Sequence, residues 1–146
     1  MNIGKRCLWQ SRCGYVYNHK QKILYLDQLW KVKTKKTYQT YTKTNPTTGE
    51  VYSGRTSGYG SPFENVRNRD TKHHMNSKGY GPAVLDKTSS DYNAIRGREQ
   101  MLIEKYGGAN STGGTSGNAI NEISKNNKKK SKYINSAIEE FGGVED

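Results

Sequence analysis

Residues 37–56, TYQTYTKTNPTTGEVYSGRT, decide the fold. Thr, Tyr and Val favour extended chain on both sides of Asn45-Pro46-Thr47-Thr48-Gly49, where proline fixes φ and glycine admits a left-handed residue. The segment therefore predicts a β-hairpin. With Pro46–Gly49 as the loop, Asn45 opposes Glu50, Tyr41 opposes Gly54 and Lys43 opposes Tyr52. Tyr41 and Tyr52 then share one face as diagonal neighbours, and Gly54 leaves room for a ring. A loop one residue longer or shorter would put the two tyrosines on opposite faces.

Downstream, Ser61-Pro62-Phe63-Glu64 reads as a helix start, with Ser61 as cap, Pro62 at the first helical position and Glu64 closing a capping box. This helix is expected to run to about Met75 or Asn76, with Val66, Arg69 and His73 on one stripe. Pro82-Ala83-Val84-Leu85 predicts a short third strand. A second helix is expected from about Asp91 to Tyr106, ended by Gly107-Gly108. Its apolar stripe is Ile95, Leu102, Ile103 and Tyr106, and Glu99 sits four residues from both isoleucines. A carboxylate on or beside a buried face is costly unless something compensates, and an ion pair with Arg96 or Arg98 would serve. Residues 107–118, GGANSTGGTSGN, predict a loop that either approaches a ligand closely or is slack. Ile134, Ala137, Ile138 and Phe141 have the spacing of a last packing helix. The expected fold class is α+β, a three-stranded antiparallel sheet flanked by helices.

Upstream, residues 1–36 form an N-terminal extension or linker, leaving 37–146 as the principal domain. Tyr15-Val16-Tyr17 alternates like a strand, Ile23 to Trp30 suits a strand or a helix, and Lys31, Lys33, Lys35 and Lys36 make a basic connector. Cys7, Cys13 and His19 match no common zinc spacing, and a Cys7–Cys13 bridge stays open.

The chain has 146 residues and carries 24 Lys+Arg against 13 Asp+Glu, a formal net charge of +11. The length suits one domain. Val, Ile, Leu and Phe number only 22, a thin core, but eleven Tyr and two Trp are scarce in disordered chains. No apolar run reaches the roughly 18 residues of a membrane span, and no secretory signal is visible at the amino terminus. Charge is concentrated early: +8 over residues 1–40, +3 over 41–90 and zero over 91–146. Nucleic acid is the commonest partner of such a basic protein. The run Lys125 to Lys132 is either a solvated stretch or a phosphate-backbone contact.

The positions that could carry chemistry are Tyr41, Tyr52, Arg69, His73 and Glu99. Cutting a phosphodiester needs an activated water, stabilisation of charge around phosphorus and usually a divalent cation. A phenol can relay a proton, an arginine fork can hold phosphate oxygens and a carboxylate can hold Mg²⁺.

The stretch Tyr41-x3-Asn45-x3-Gly49-x2-Tyr52-x-Gly54 resembles the paired-strand signature of the GIY-YIG endonucleases, with Gln39-Thr40-Tyr41 and Tyr52-Ser53-Gly54 at the two triplets. Gln39, Thr40 and Ser53 depart from the family's Gly, Ile and Ile. Arg69-x3-His73 and Glu99 followed by Met101-Leu102-Ile103 resemble the family's later motifs. The resemblance spans about residues 37–121. It implies that Tyr41 helps deprotonate water, with His73 as proton relay. It places Tyr52 and Arg69 on the scissile phosphate, and Glu99 as the ligand of Mg²⁺ or Mn²⁺. An Asn after the helix positions substrate or loop; Asn118 is the choice, with Asn110 and Asn121 as rivals. Lys43, Arg55, Arg67 and Lys72 are expected to engage neighbouring phosphates.

Residues 51–123 also resemble the toxin modules at the carboxyl termini of bacterial Rhs-type polymorphic toxins. That resemblance implies delivery into the cytoplasm of a rival bacterium, often by type VI secretion, from a producer that holds the protein in its own cytoplasm before export. It also implies an acidic cognate immunity protein. Two other readings compete: a non-catalytic nucleic-acid-binding module, and a toxin acting on RNA or another target.

Overall fold

The computed structural model describes residues 35–144. The strand expected at Tyr15–Tyr17, the segment Ile23–Trp30, Lys31, Lys33, Cys7, Cys13 and His19 lie outside the described residues. The fold is α+β. β1 (Thr37–Thr44) and β2 (Val51–Gly58) make the hairpin, and β3 (Val84–Ser89) joins the far side of β1, so the antiparallel order is β2-β1-β3. Around the sheet lie α1 (Pro62–Thr71), α2 (Tyr92–Lys105) and α3 (Lys130–Phe141).

The hairpin has the register its turn residues dictate: Tyr41 opposes Gly54, Lys43 opposes Tyr52, and Asn45 N–H donates to the Glu50 carbonyl at 2.9 Å. Gly49 takes φ +77°, and the Asn45 side chain accepts from Thr47 N–H at 2.9 Å. The two faces of β1 then divide the helices. Gln39, Tyr41 and Lys43 meet Asn65, His73 and Asp70 on the α1 side. Tyr38 and Thr40 meet Tyr92 and Asp86 on the other side, where α2 lies.

α1 begins with the expected capping box: Ser61 N–H donates to Glu64 at 2.9 Å and Pro62 is first in the helix. It ends at Thr71, four or five residues before the expected Met75 or Asn76. The physical reason is competition for a carbonyl. Asn76 Nδ2 donates to the Asp70 carbonyl at 2.7 Å, and His73 N–H reaches the same oxygen in a tight turn. β3 also starts later than expected, at Val84 instead of Pro82. Pro82 has no N–H, and Ala83 N–H donates to the Asp70 carboxylate at 3.1 Å, so ladder pairing begins beyond both. Opposite Thr40 and Tyr41 the register shifts by one residue, and Asp86 is the bulged position.

α2 is buried around most of its circumference, by the sheet and by α3. Gly97 allows that close crossing, because a Cβ there would stand 2.0 Å from the Tyr133 carbonyl oxygen. The buried residues of α3 are Tyr133 and Ala137, whereas Ile138 is 48% exposed, so the packing stripe is shifted from the expected one. The glycine-rich segment is neither slack nor open. Thr115 and Ser116 N–H groups bond the Gly107 and Gly108 carbonyls, folding the loop on itself around a short 3₁₀ turn at Asn110–Thr112. Among the described residues no helix is long and apolar enough to cross a membrane.

Candidate active site

β2 is an edge strand, and a cleft of about 590 Å³ opens along it. Tyr41, Tyr52, Arg69 and Glu99 all line this one cleft, together with Arg55, Tyr38, Tyr92 and Glu122. Four residues from two strands and two helices thus converge. A smaller cavity of about 280 Å³ adjoins it, sharing Tyr52, Glu99 and Glu122 and continuing to Asn118.

Tyr41 reaches the cleft by crossing Gly54. A Cβ at position 54 would lie 2.6 Å from the Tyr41 ring tip and hydroxyl, so only glycine lets the phenol through. The hydroxyl lies 2.9 Å from His73 Nε2, and His73 Nδ1 accepts Met75 N–H at 3.1 Å. With Nδ1 an acceptor, the neutral ring carries its proton on Nε2 and donates to the phenol oxygen. Burial, followed by the charges of His74 and Arg69, pushes His73 down to about 4, so the ring is neutral at pH 7. The expected proton-relay role is corrected accordingly: His73 is a donor to the phenol and has no free nitrogen to receive its proton. Nor does it lie on α1; it stands in the turn after the helix.

Tyr52 packs its ring edge-on to His73 and to His74, with centroids 5.1 and 5.6 Å away. Burial raises both phenols. Tyr52, with Tyr41 and Glu99 as further causes, is pushed up to about 12 and keeps its proton. Tyr41 is also raised, but Arg69 opposes that rise by hydrogen bond and by charge. Arg69 itself is exposed, in the last turn of α1.

Glu99 is 6% exposed. Its partner is neither Arg96 nor Arg98, as a local helix pair would require. Arg98 pairs with the bulged Asp86, and Arg96 Nε lies 3.1 Å from Glu122. Arg55 reaches Glu99 from β2, with Nε 2.8 Å from Oε2, and its Nη2 donates to Glu122 at 2.7 Å. The short contact to Oε2 lacks hydrogen-bond alignment, so this buried oxygen has a charged neighbour and no directed donor. Burial, then the charge of Glu122, pushes Glu99 up to about 8 against the pull of Arg55. Glu122 carries no signal in the sequence, since a lone acid in a loop of Asn, Ser and Lys has no periodic pattern to mark it.

Among the described residues no group of three or more His, Cys, Asp or Glu is placed to hold a metal ion. The donor set nonetheless suits Mg²⁺ or Mn²⁺, which take one or two carboxylates and leave the remaining positions to water and phosphate oxygens. Glu99 lines the cleft, and its Oε2, which has no directed donor, fits that requirement once Arg55 moves off it.

Asn118 uses both ends of its amide on Ser53, accepting from N–H and donating to C=O at 2.8 Å each. A side chain here imitates a neighbouring strand and satisfies the free edge of β2. Asn118 is therefore a positioning residue for the loop, and does not present its amide to substrate. Of its rivals, Asn121 accepts from Gln100 at 3.0 Å and Asn110 faces the Gly114 and Ser116 carbonyls within its own loop.

Lys43 is a correction. It is 1% exposed and pairs with Asp70 while donating to Asn76 at 2.7 Å, so it meets no phosphate. Its place opposite Tyr52 points it under α1. Arg55 lines the cleft but is engaged by two carboxylates, whereas Arg67 and Lys72 are exposed. In comparisons with known proteins, no family model, no curated protein and no solved structure matches the chain.

Proposed function

We propose that this chain is a metal-dependent endonuclease of GIY-YIG type that hydrolyses phosphodiester bonds in nucleic acid, DNA before RNA, as an antibacterial toxin domain. One observation carries the reading: two phenols, a guanidinium and a nearly buried carboxylate line a common cleft. Tyr41 acts as base in its phenolate form, whose negative oxygen is favoured by donation from His73 Nε2–H and by Arg69. Taking the water's proton turns the phenolate into a neutral phenol and leaves hydroxide to attack phosphorus. Tyr52, still protonated, donates to a phosphate oxygen. Arg69, exposed at the cleft mouth, grips the phosphate by its planar fork. Glu99 would hold Mg²⁺ or Mn²⁺, which when bound supplies Lewis-acid stabilisation of the phosphate's charge. Occupancy by a dication requires Arg55 to leave Glu99, and Glu122 remains as its partner.

The toxin role rests on the likeness of residues 51–123 to Rhs-type carboxyl-terminal modules, and the net charge of +11 suits an acidic immunity protein. The test is nicking of supercoiled plasmid with Mg²⁺ or Mn²⁺, with EDTA as control. Wild type is expected to nick, Glu99→Ala to be inactive with unchanged circular dichroism, and Arg69→Ala to lose orders of magnitude in turnover. An EDTA-insensitive gel shift that weakens steeply with salt, without cleavage under any divalent ion, would replace the enzyme by a binding module.

A further inference from the structure

Beside the candidate catalytic groups the cleft has an aromatic wall that the chemistry above does not use. Tyr38 on β1 and Tyr92 at the start of α2 meet edge to face, with centroids 5.5 Å apart and planes at 70°. The Arg55 guanidinium lies over the Tyr92 ring at 5.1 Å, and the Lys36 amine over Tyr38 at 5.5 Å. Both rings line the same cleft as Tyr41, Tyr52, Arg69 and Glu99. Neither belongs to the core, whose buried tyrosines are Tyr41, Tyr80 and Tyr133. Two half-exposed rings in a cleft able to take a phosphate, one of them beside the exposed Lys36 amine, are placed to stack a base while Lys36 meets its backbone.

We infer that Tyr38 and Tyr92 are a nucleobase-stacking subsite, and that the substrate presents an unpaired or unstacked nucleotide next to the scissile phosphate. In a duplex every base face is covered by its neighbours, so the wall is usable only when a base has left the stack. A cleft of about 590 Å³ has the size of a small-ligand pocket, suited to one nucleotide at a time. This inference deepens the nuclease reading by naming its substrate class, and it rests on that reading for the position of the cut.

The test is binding, in EDTA, of a single-stranded oligonucleotide containing 2-aminopurine, beside a blunt duplex of the same length. Tyr92→Leu, which keeps apolar bulk without a π-face, is expected to weaken single-strand binding at least tenfold and to abolish the fluorescence quench. Tyr92→Phe should stay within twofold of wild type, and duplex binding should be unchanged in both variants. Equal losses for single strand and duplex, or no loss at all, would overturn the subsite. Plasmid cleavage by wild type is scored separately. Cleavage with unaltered Tyr92→Leu binding removes the wall and leaves the nuclease, whereas selective loss of single-strand binding without any cleavage removes the nuclease and leaves the wall.

Discussion

The hydroxyl of Tyr41 and Nε2 of His73 stand 2.9 Å apart, and the Met75 N–H on the other ring nitrogen sets the direction of that bond. A protonated imidazole would need Nδ1 to donate, and it would then face another donor. Nitrogen-detected NMR of the histidine rings should therefore show His73 as the Nε2–H tautomer from pH 5 to 8, titrating near 4. Its stability contribution is fully present above the ordinary value of 6.5 and is lost as pH falls through 4. A His73 resonance titrating at 6.5 would mean that the contact with Tyr41 is not made as described.

Gly54→Ala should be far more damaging than its one methyl group suggests. The new Cβ would sit 2.6 Å from the tip of Tyr41, which cannot retreat from a buried position without moving His73. Overpacking of this kind costs about 1–3 kcal/mol, and thermal denaturation measures it. The same variant should lose nuclease activity, because the phenol oxygen is displaced from the cleft.

Glu99→Gln separates stability from function. An acid raised from 4.5 to about 8 on folding keeps its proton in the native state while the unfolded chain ionises, so stability falls as pH rises between those values. The amide removes that dependence. Glu99→Gln should melt higher than wild type at pH 8, by more than about 1 kcal/mol or roughly 4–8 °C, and show little gain at pH 5. Equal melting temperatures at both pH values would mean that Glu99 is ionised without penalty, held by Arg55.

Lys43→Met leaves Asp70 without its buried partner. Breaking a buried pair by removing one member costs about 3–5 kcal/mol; Asp70 is partly exposed, so the lower end is expected. The salt dependence of nucleic-acid binding should keep its slope, since a residue hidden under α1 releases no phosphate counterion. A shallower slope in this variant would put Lys43 on the binding surface.

The hairpin and its register were legible because Asn-Pro-Thr-Thr-Gly admits one economical loop, and the loop fixes which residues share a face. The capping box at Ser61 was legible for the same local reason. What escaped was decided by distant partners. Asn76 ended α1 early, and Asp70 delayed β3; neither act is visible in the periodicity of its own segment. Tyr41, Tyr52, Arg69 and Glu99, singled out from the sequence, line one cleft, yet the partner of Glu99 lies 44 positions away across the sheet edge. Lys43 reads as surface by residue type alone, and its parity with Tyr41 on β1 was the clue to its burial. Glu122 and the pair Tyr38–Tyr92 became meaningful only once α2 was seen against the edge of β2.

In the proposed nuclease the Glu99 carboxylate is a cation site facing the two phenols. Anomalous difference density from a crystal soaked in Mn²⁺ tests it most directly. A peak in coordination contact with Glu99, with Arg55 turned toward Glu122, is the expected result. Manganese bound elsewhere, with the Arg55–Glu99 contact intact at saturating metal, would contradict it.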